Sequence, residues 1–251
     1  MPNFRLIRVL LHVFQGVLTC ALVFPFSSDA RRASLVRAWS TKLLGLCRVE
    51  VRFINRSGVE STEHALIVAN HVSWMDIFVI NSWQACHFVA KSDIRAWPIA
   101  GWLSAQAGTI FLARGKQRDV RRIYEGLVHQ LRENKRIAFF PEGTTGAQGS
   151  LLPFHANLFE AAIEAKVPVL PFALRYVDRQ GRLHSAADFI GEMSFAESMR
   201  LILKQDHIIA ELIQLPQISV VGMHRRELAQ AAHAIVAQAL GQSEEASISP
   251  C

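Results

Sequence analysis

The stretch Ala65-Leu66-Ile67-Val68-Ala69-Asn70-His71-Val72-Ser73-Trp74-Met75-Asp76 reads as a buried strand that runs out into a polar turn and then into a helix. Its imidazole and carboxylate, His71 and Asp76, stand five positions apart. On a continuous helix that spacing turns the side chains about 140° apart, so they would meet poorly. At a strand-to-loop-to-helix junction the chain can fold back. Asp76 then reaches His71 Nδ1 and leaves Nε2 free to take a proton from a hydroxyl. Ser73 lies only two residues on, inside the same tight turn, so no obvious side-chain nucleophile stands beside the pair. The simplest chemistry is direct attack by a substrate hydroxyl with His71 as general base. By itself, such a pair is more often a surface histidine and a helix-capping aspartate, and it takes the further segments below to change that reading.

Outward from this stretch, strand-like and helix-like runs alternate. Strands are expected at Val49–Ile54, Ala65–Ala69, His87–Ala90, Thr109–Ala113, Arg136–Phe140 and Val167–Leu174. Helical character falls at Asp76–Trp83, Gln117–Asn134 and Asn157–Ala165. Such alternation predicts an α/β domain with a largely parallel sheet, in which loops at strand ends converge on one cleft. His71, Arg114 and Glu142 each sit just past a strand-like run.

Three more segments extend the pattern: Gly108-Thr109-Ile110-Phe111-Leu112-Ala113-Arg114, Phe139-Phe140-Pro141-Glu142-Gly143-Thr144 and Val167-Pro168-Val169-Leu170-Pro171. In this order and spacing, with Lys91, Pro98, Gly101 and Trp102 ahead of the second block, residues 60 to 180 resemble the glycerolipid acyltransferase family. Within it they are most similar to the 1-acylglycerol-3-phosphate acyltransferases. The resemblance implies a mixed central sheet flanked by helices and an N-terminal membrane-binding helical pair. It also implies transfer of a fatty acyl group from an acyl thioester (coenzyme A or acyl-carrier protein) to the hydroxyl of 1-acylglycerol-3-phosphate, giving phosphatidic acid. His71 and Asp76 would be catalytic. Arg114 is a natural phosphate clamp, because a guanidinium binds phosphate oxygens bidentately. Glu142 would meet acceptor hydroxyls or hold Arg114, and amides of the Gly143-Thr144 turn would serve an oxyanion or a phosphate.

Two departures from the family pattern bear on the acceptor. The glutamate-glycine-threonine block usually continues into arginine and serine, and here continues Thr145-Gly146-Ala147-Gln148-Gly149. Leu152-Pro153-Phe154 is often followed by lysine, and here by His155. Both remove fixed positive charge near the acceptor, so a lyso-aminolipid such as lyso-ornithine lipid is the alternative acceptor. A non-catalytic lipid-binding protein on the same fold is the alternative of a different class. No cofactor is expected, and His71 and Asp76 lack the further ligands a metal would need.

The composition points to lipid. Of 251 residues, 51% are hydrophobic and 19% charged, and the mean hydropathy is +0.20, so part of the surface is expected to meet a membrane. The whole net charge of +6 sits in residues 1–48, where Arg5, Arg8, Arg31, Arg32, Arg37, Lys42 and Arg48 face a single acid, Asp29. These cations flank an uncharged run, Val9 to Phe26, which favours an anionic membrane surface over nucleic acid as partner. As a helix the run spans about 27 Å, just short of the ~30 Å hydrocarbon core, with arginines on both sides. A re-entrant or half-inserted helix with both ends on the cytoplasmic face fits these facts, and Arg31 and Arg32 count against a cleaved signal peptide. Residues 31–48 then read as a basic amphipathic helix lying in the interface. The expected organisation is an arm over 1–48, a catalytic domain over 49–242 and a frayed tail over 243–251. Four scattered cysteines suggest neither disulfides nor a zinc site.

Overall fold

A computed structural model describes residues 2–58, 65–112 and 117–241. The chain opens with helices α1 (Pro2–Leu22) and α2 (Asp29–Leu46), joined by a 3-10 turn at Phe24–Phe26. Strands β1 (Val49–Asn55) and β2 (Leu66–Ala69) lead to α3 (Asp76–Trp83), and β3 (His87–Lys91) leads to α4 (Ala100–Gln106). There follow β4 (Ile110–Leu112), α5 (Gln117–Arg132), β5 (Ile137–Phe139), α6 (Phe159–Ala165) and β6 (Val169–Val177). The chain then forms α7 (Phe195–Lys204), β7 (Ile208–Gln214) and α8 (Arg225–Ala239).

The seven strands form one sheet in the order β1-β7-β6-β2-β5-β3-β4, parallel at every pairing except β6 with β7. This is the mixed, mostly parallel sheet that the resemblance implies. The odd pair has a simple origin. Ile208-Ile209-Ala210-Glu211-Leu212-Ile213-Gln214, absent from the expected strands, returns beside β6 and carries β1 on its other edge. Helices cover both faces. Leu43 and Leu44 of α2, Val79 and Ile80 of α3 and Ile202 and Leu203 of α7 pack in one core. Leu127 and Leu131 of α5, Phe159 and Ala162 of α6 and Leu228 and Ala232 of α8 pack in a second. Buried on both sides, β2 can be the unbroken apolar run Leu-Ile-Val-Ala.

The arm differs from its expected form. Helix α2 does not lie free at an interface: Ser40, Leu43 and Leu44 are buried, and Arg37 Nε donates to Ser82 O at the end of α3. The physical reason is that its leucines complete the core over α3 and the sheet, and two of its cations, Arg32 and Arg37, are drawn into backbone contacts. Helix α1 begins at Pro2 and so takes in Arg5 and Arg8. Its inner face packs on α2, where His12 and Trp39 stack at 4.7 Å and exchange hydrogen bonds with each other's carbonyls at 2.9 and 3.1 Å. Its outer face leaves Ile7, Leu10, Leu11 and Phe14 more than half exposed. Phe4–Leu22 is long and apolar enough to cross a membrane. The expected tail lies outside the described residues.

Candidate active site

Strand β2 ends at Ala69, and Asn70 steers the chain out of the sheet. Its side-chain amide donates to Leu174 O at 2.8 Å and its carbonyl accepts from Leu174 N at 2.7 Å, which satisfies the strand of β6 that β2 leaves behind. The next five residues fold back on the start of α3. Asp76 Oδ2 accepts from Val72 N at 2.7 Å, from Ser73 N at 3.0 Å and from His71 Nδ1 at 2.8 Å. The carboxylate is fully buried in the first turn of α3, where free amides and the helix dipole favour a negative charge. Its other oxygen, Oδ1, accepts from the Tyr176 hydroxyl at 2.6 Å. Burial first, and then the Asp76 charge, push the Tyr176 phenol well above its ordinary range, so it remains an O–H donor.

With Nδ1 facing a carboxylate acceptor, the neutral imidazole carries its proton there and presents a lone pair at Nε2. Nε2 has no partner among the described residues, and the side chain is 18% exposed. Phe140 stacks on the ring at 3.9 Å between centroids, nearly parallel to it, which covers one face of the imidazole.

Glu142 enters from the end of β5. Its Oε1 accepts from His71 N at 2.6 Å and its Oε2 from Leu152 N at 2.9 Å. Burial raises its pKa, against the two amides, which lower it. Among the described residues both oxygens meet backbone amides, so Glu142 holds the His71 main chain and the loop over 143–152 in place. His71 O closes the arrangement by accepting from Gly146 N at 2.8 Å. Gly143 takes a positive φ of 69°, and its amide donates back to Phe140 O at 3.1 Å, so that amide closes the turn. The Thr144 amide is left without a partner among the described residues, and the residue is exposed. Arg114 lies outside the described residues.

Tyr176 is the site residue that sequence reasoning missed. A signal existed: Leu170, Phe172, Leu174 and Tyr176 alternate along β6 and all face the core, and a tyrosine at the end of a buried row needs an acceptor. The uncharged residues of the 145–155 loop also find partners. The Thr145 hydroxyl donates to Phe189 O, and Gln148 accepts from Tyr176 N at 2.6 Å while donating to Asp188 Oδ1 at 3.0 Å. Burial pushes the Cys47 and Cys86 thiols up to about 12, so neither is a thiolate at neutral pH.

A histidine held by a buried aspartate at the strand ends of an α/β sheet, with Nε2 facing the opening, is an arrangement able to take a proton from a hydroxyl. Residues 50–175 match the family model described as Acyltransferase, and the chain belongs to that family. It is 38% identical over 209 residues to the lyso-ornithine lipid O-acyltransferase of Pseudomonas aeruginosa, covering 83% of this chain and 79% of that one. With the 1-acyl-sn-glycerol-3-phosphate acyltransferase of Neisseria gonorrhoeae it shares 40% over 129 residues, 51% of each chain. The crystal structure of the 1-acyl-sn-glycerophosphate acyltransferase of Thermotoga maritima superimposes with a TM-score of 0.70 over the full length of both chains. At 18% identity this is a likeness of fold.

Proposed function

We propose that the protein moves a fatty acyl group from an acyl thioester to the free hydroxyl of a lysolipid at a membrane surface. The observation that carries this is the partnerless His71 Nε2, held by the Asp76 bond at 2.8 Å. The acceptor O–H gives its proton to Nε2 as its oxygen attacks the thioester carbonyl carbon. The C–S bond then breaks, the imidazolium returns the proton to the departing thiolate, and an ester and a free thiol remain. Asp76 stabilises the imidazolium formed in between. The Thr144 amide and hydroxyl, without partners among the described residues, can meet an oxyanion or a polar head group. Coenzyme A and acyl-carrier protein both present the thioester this chemistry requires.

Two acceptors fit. 1-Acylglycerol-3-phosphate is supported by the Neisseria relatives and by the family block that ends at Arg114. Lyso-ornithine lipid is favoured by a specific observation: the loop after Thr144 offers no lysine or arginine for a phosphate, and Thr145 and Gln148 are engaged within the fold. Two relatives of that name also share longer stretches of this chain, 83% and 70% against 51% for the Neisseria gonorrhoeae enzyme. These two facts weigh toward the phosphate-free acceptor. The test is release of free thiol from an acyl thioester on adding each lysolipid in turn. Turnover of one acceptor alone decides between them, and thiol release with neither overturns lysolipid acylation itself.

A further inference from the structure

Three large apolar side chains in six consecutive positions face solvent: Trp97 at 51%, Ile99 at 58% and Trp102 at 41% exposure. Isolated exposed apolar residues are ordinary, but a cluster of this density marks a contact surface. Its position is defined by the sheet. Strands β2, β5 and β3 are parallel, so the segments that follow them share one rim: His71 after β2, Glu142 after β5 and this turn after β3.

The turn is held rigid at a cost to the backbone. A Cβ on Gly101 would stand 2.4 Å from Arg95 O, so only glycine lets the start of α4 cross the preceding 3-10 turn so closely. Ile99 has φ 64° and ψ −59°, a conformation that a β-branched residue adopts only under strain. The hydrogen bond from Ala100 N to Pro98 O at 2.6 Å closes a tight turn around Ile99 and holds it in this conformation, with its side chain turned to solvent.

We propose that the Trp97–Ile99–Trp102 turn is a second lipid-docking element, which with α1 seats the catalytic rim on an anionic leaflet. Two observations select lipid as the occupant. Helix α1 packs against α4, so the turn lies next to the helix that carries the outward apolar row of Ile7, Leu10, Leu11 and Phe14. Exposed Lys91 and Arg95 flank the turn against one acid, Asp93, and tryptophans bordered by cations suit the level of lipid head groups. The consequence is a substrate route: a lysolipid lying in that leaflet has its hydroxyl brought to the rim where His71 stands. The inference rests on the membrane-surface reading proposed above.

The full chain is mixed with phosphatidylglycerol-containing vesicles whose acyl chains carry bromine near the glycerol. Trp39, Trp74 and Trp83 are part-buried, so quenching of tryptophan fluorescence should come chiefly from the turn, and Trp97→Phe with Trp102→Phe should remove about half of it or more. Ile99→Gly gives a readout that misfolding cannot imitate. It relieves the backbone, so the unfolding temperature should hold or rise, while affinity for vesicles falls about fivefold or more with the lost apolar area. Unchanged quenching and unchanged affinity in these variants, with wild type bound, would overturn the proposal and leave membrane association standing on α1. Vesicle binding unchanged in the variants, with KM raised only for a protein-carried acyl donor, would also overturn it and make the turn a protein contact. No binding by wild type would sink the membrane reading itself.

Discussion

Four hydrogen bonds converge on the Asp76 carboxylate, and each has a different consequence when removed. Without the base, His71→Ala should lower kcat by about 10³-fold, within the roughly 10²–10⁴ range of general-base catalysis. Near-normal turnover by folded His71→Ala protein would rule out the assignment. Asp76→Asn keeps the shape but removes the charge that stabilises the imidazolium, so kcat should fall, and an effect confined to KM would contradict the role given to Asp76. Tyr176→Phe is the sharper test of geometry. It leaves the ring packed in the core and removes one donor from Oδ1. The expected outcome is a stability loss of about 1 kcal/mol, with kcat lowered and KM unchanged. A Tyr176→Phe protein with wild-type kcat would show the hydroxyl to be a packing detail.

At the scale of elements, the hairpin of α1 and α2 depends on one small residue. A Cβ on Gly16 would stand 2.7 Å from Trp39 Nε1, so the glycine lets α1 lie close enough for His12 and Trp39 to exchange hydrogen bonds. Gly16→Leu should pry the helices apart and destabilise the protein by about 1–3 kcal/mol, as overpacking does in a close-packed contact. The readout is the thermal midpoint, where about 1 kcal/mol corresponds to roughly 2–4 °C for a chain of this size. An unchanged midpoint would mean that α1 is not held by this contact.

For the whole molecule, the excess positive charge of the arm divides into two groups. Arg5 donates to Leu203 O and Gln205 O, Arg32 to Phe24 O and Arg37 to Ser82 O, so these three tie the arm to itself and to the domain. Arg31 and Lys42 are exposed. Neutralising Arg31 and Lys42 should weaken binding to anionic vesicles by about 1 kcal/mol each and leave the unfolding temperature alone. Neutralising Arg32 and Arg37 should lower that temperature. Some attachment should survive in high salt through the outer face of α1, and complete release by salt alone would show that this face does not enter lipid.

Much of this was legible in order along the chain. Local rules of period and turn chemistry were enough for β2, α3 and the fold-back of His71 toward Asp76, because those interactions span a few residues. Six of the seven strands announced themselves as apolar runs ended by polar turns. The seventh, β7, did not, since its antiparallel seat beside β6 depends on a partner some forty residues away in the chain. The same holds at the site. Tyr176 reaches Asp76 across 100 residues, and Glu142 reaches the His71 amide across 71. Sequence named Glu142 as a functional carboxylate, but only the folded chain brings two backbone amides to its oxygens. Likewise, the leucines of α2 read as a face for lipid until α3 and the sheet stood against them. Sequence by itself determined the chemistry available and the elements that carry it. Tertiary structure decided which polar groups face each other, because a buried hydrogen bond depends on distance in space, and residues far apart in sequence meet only when the sheet has formed.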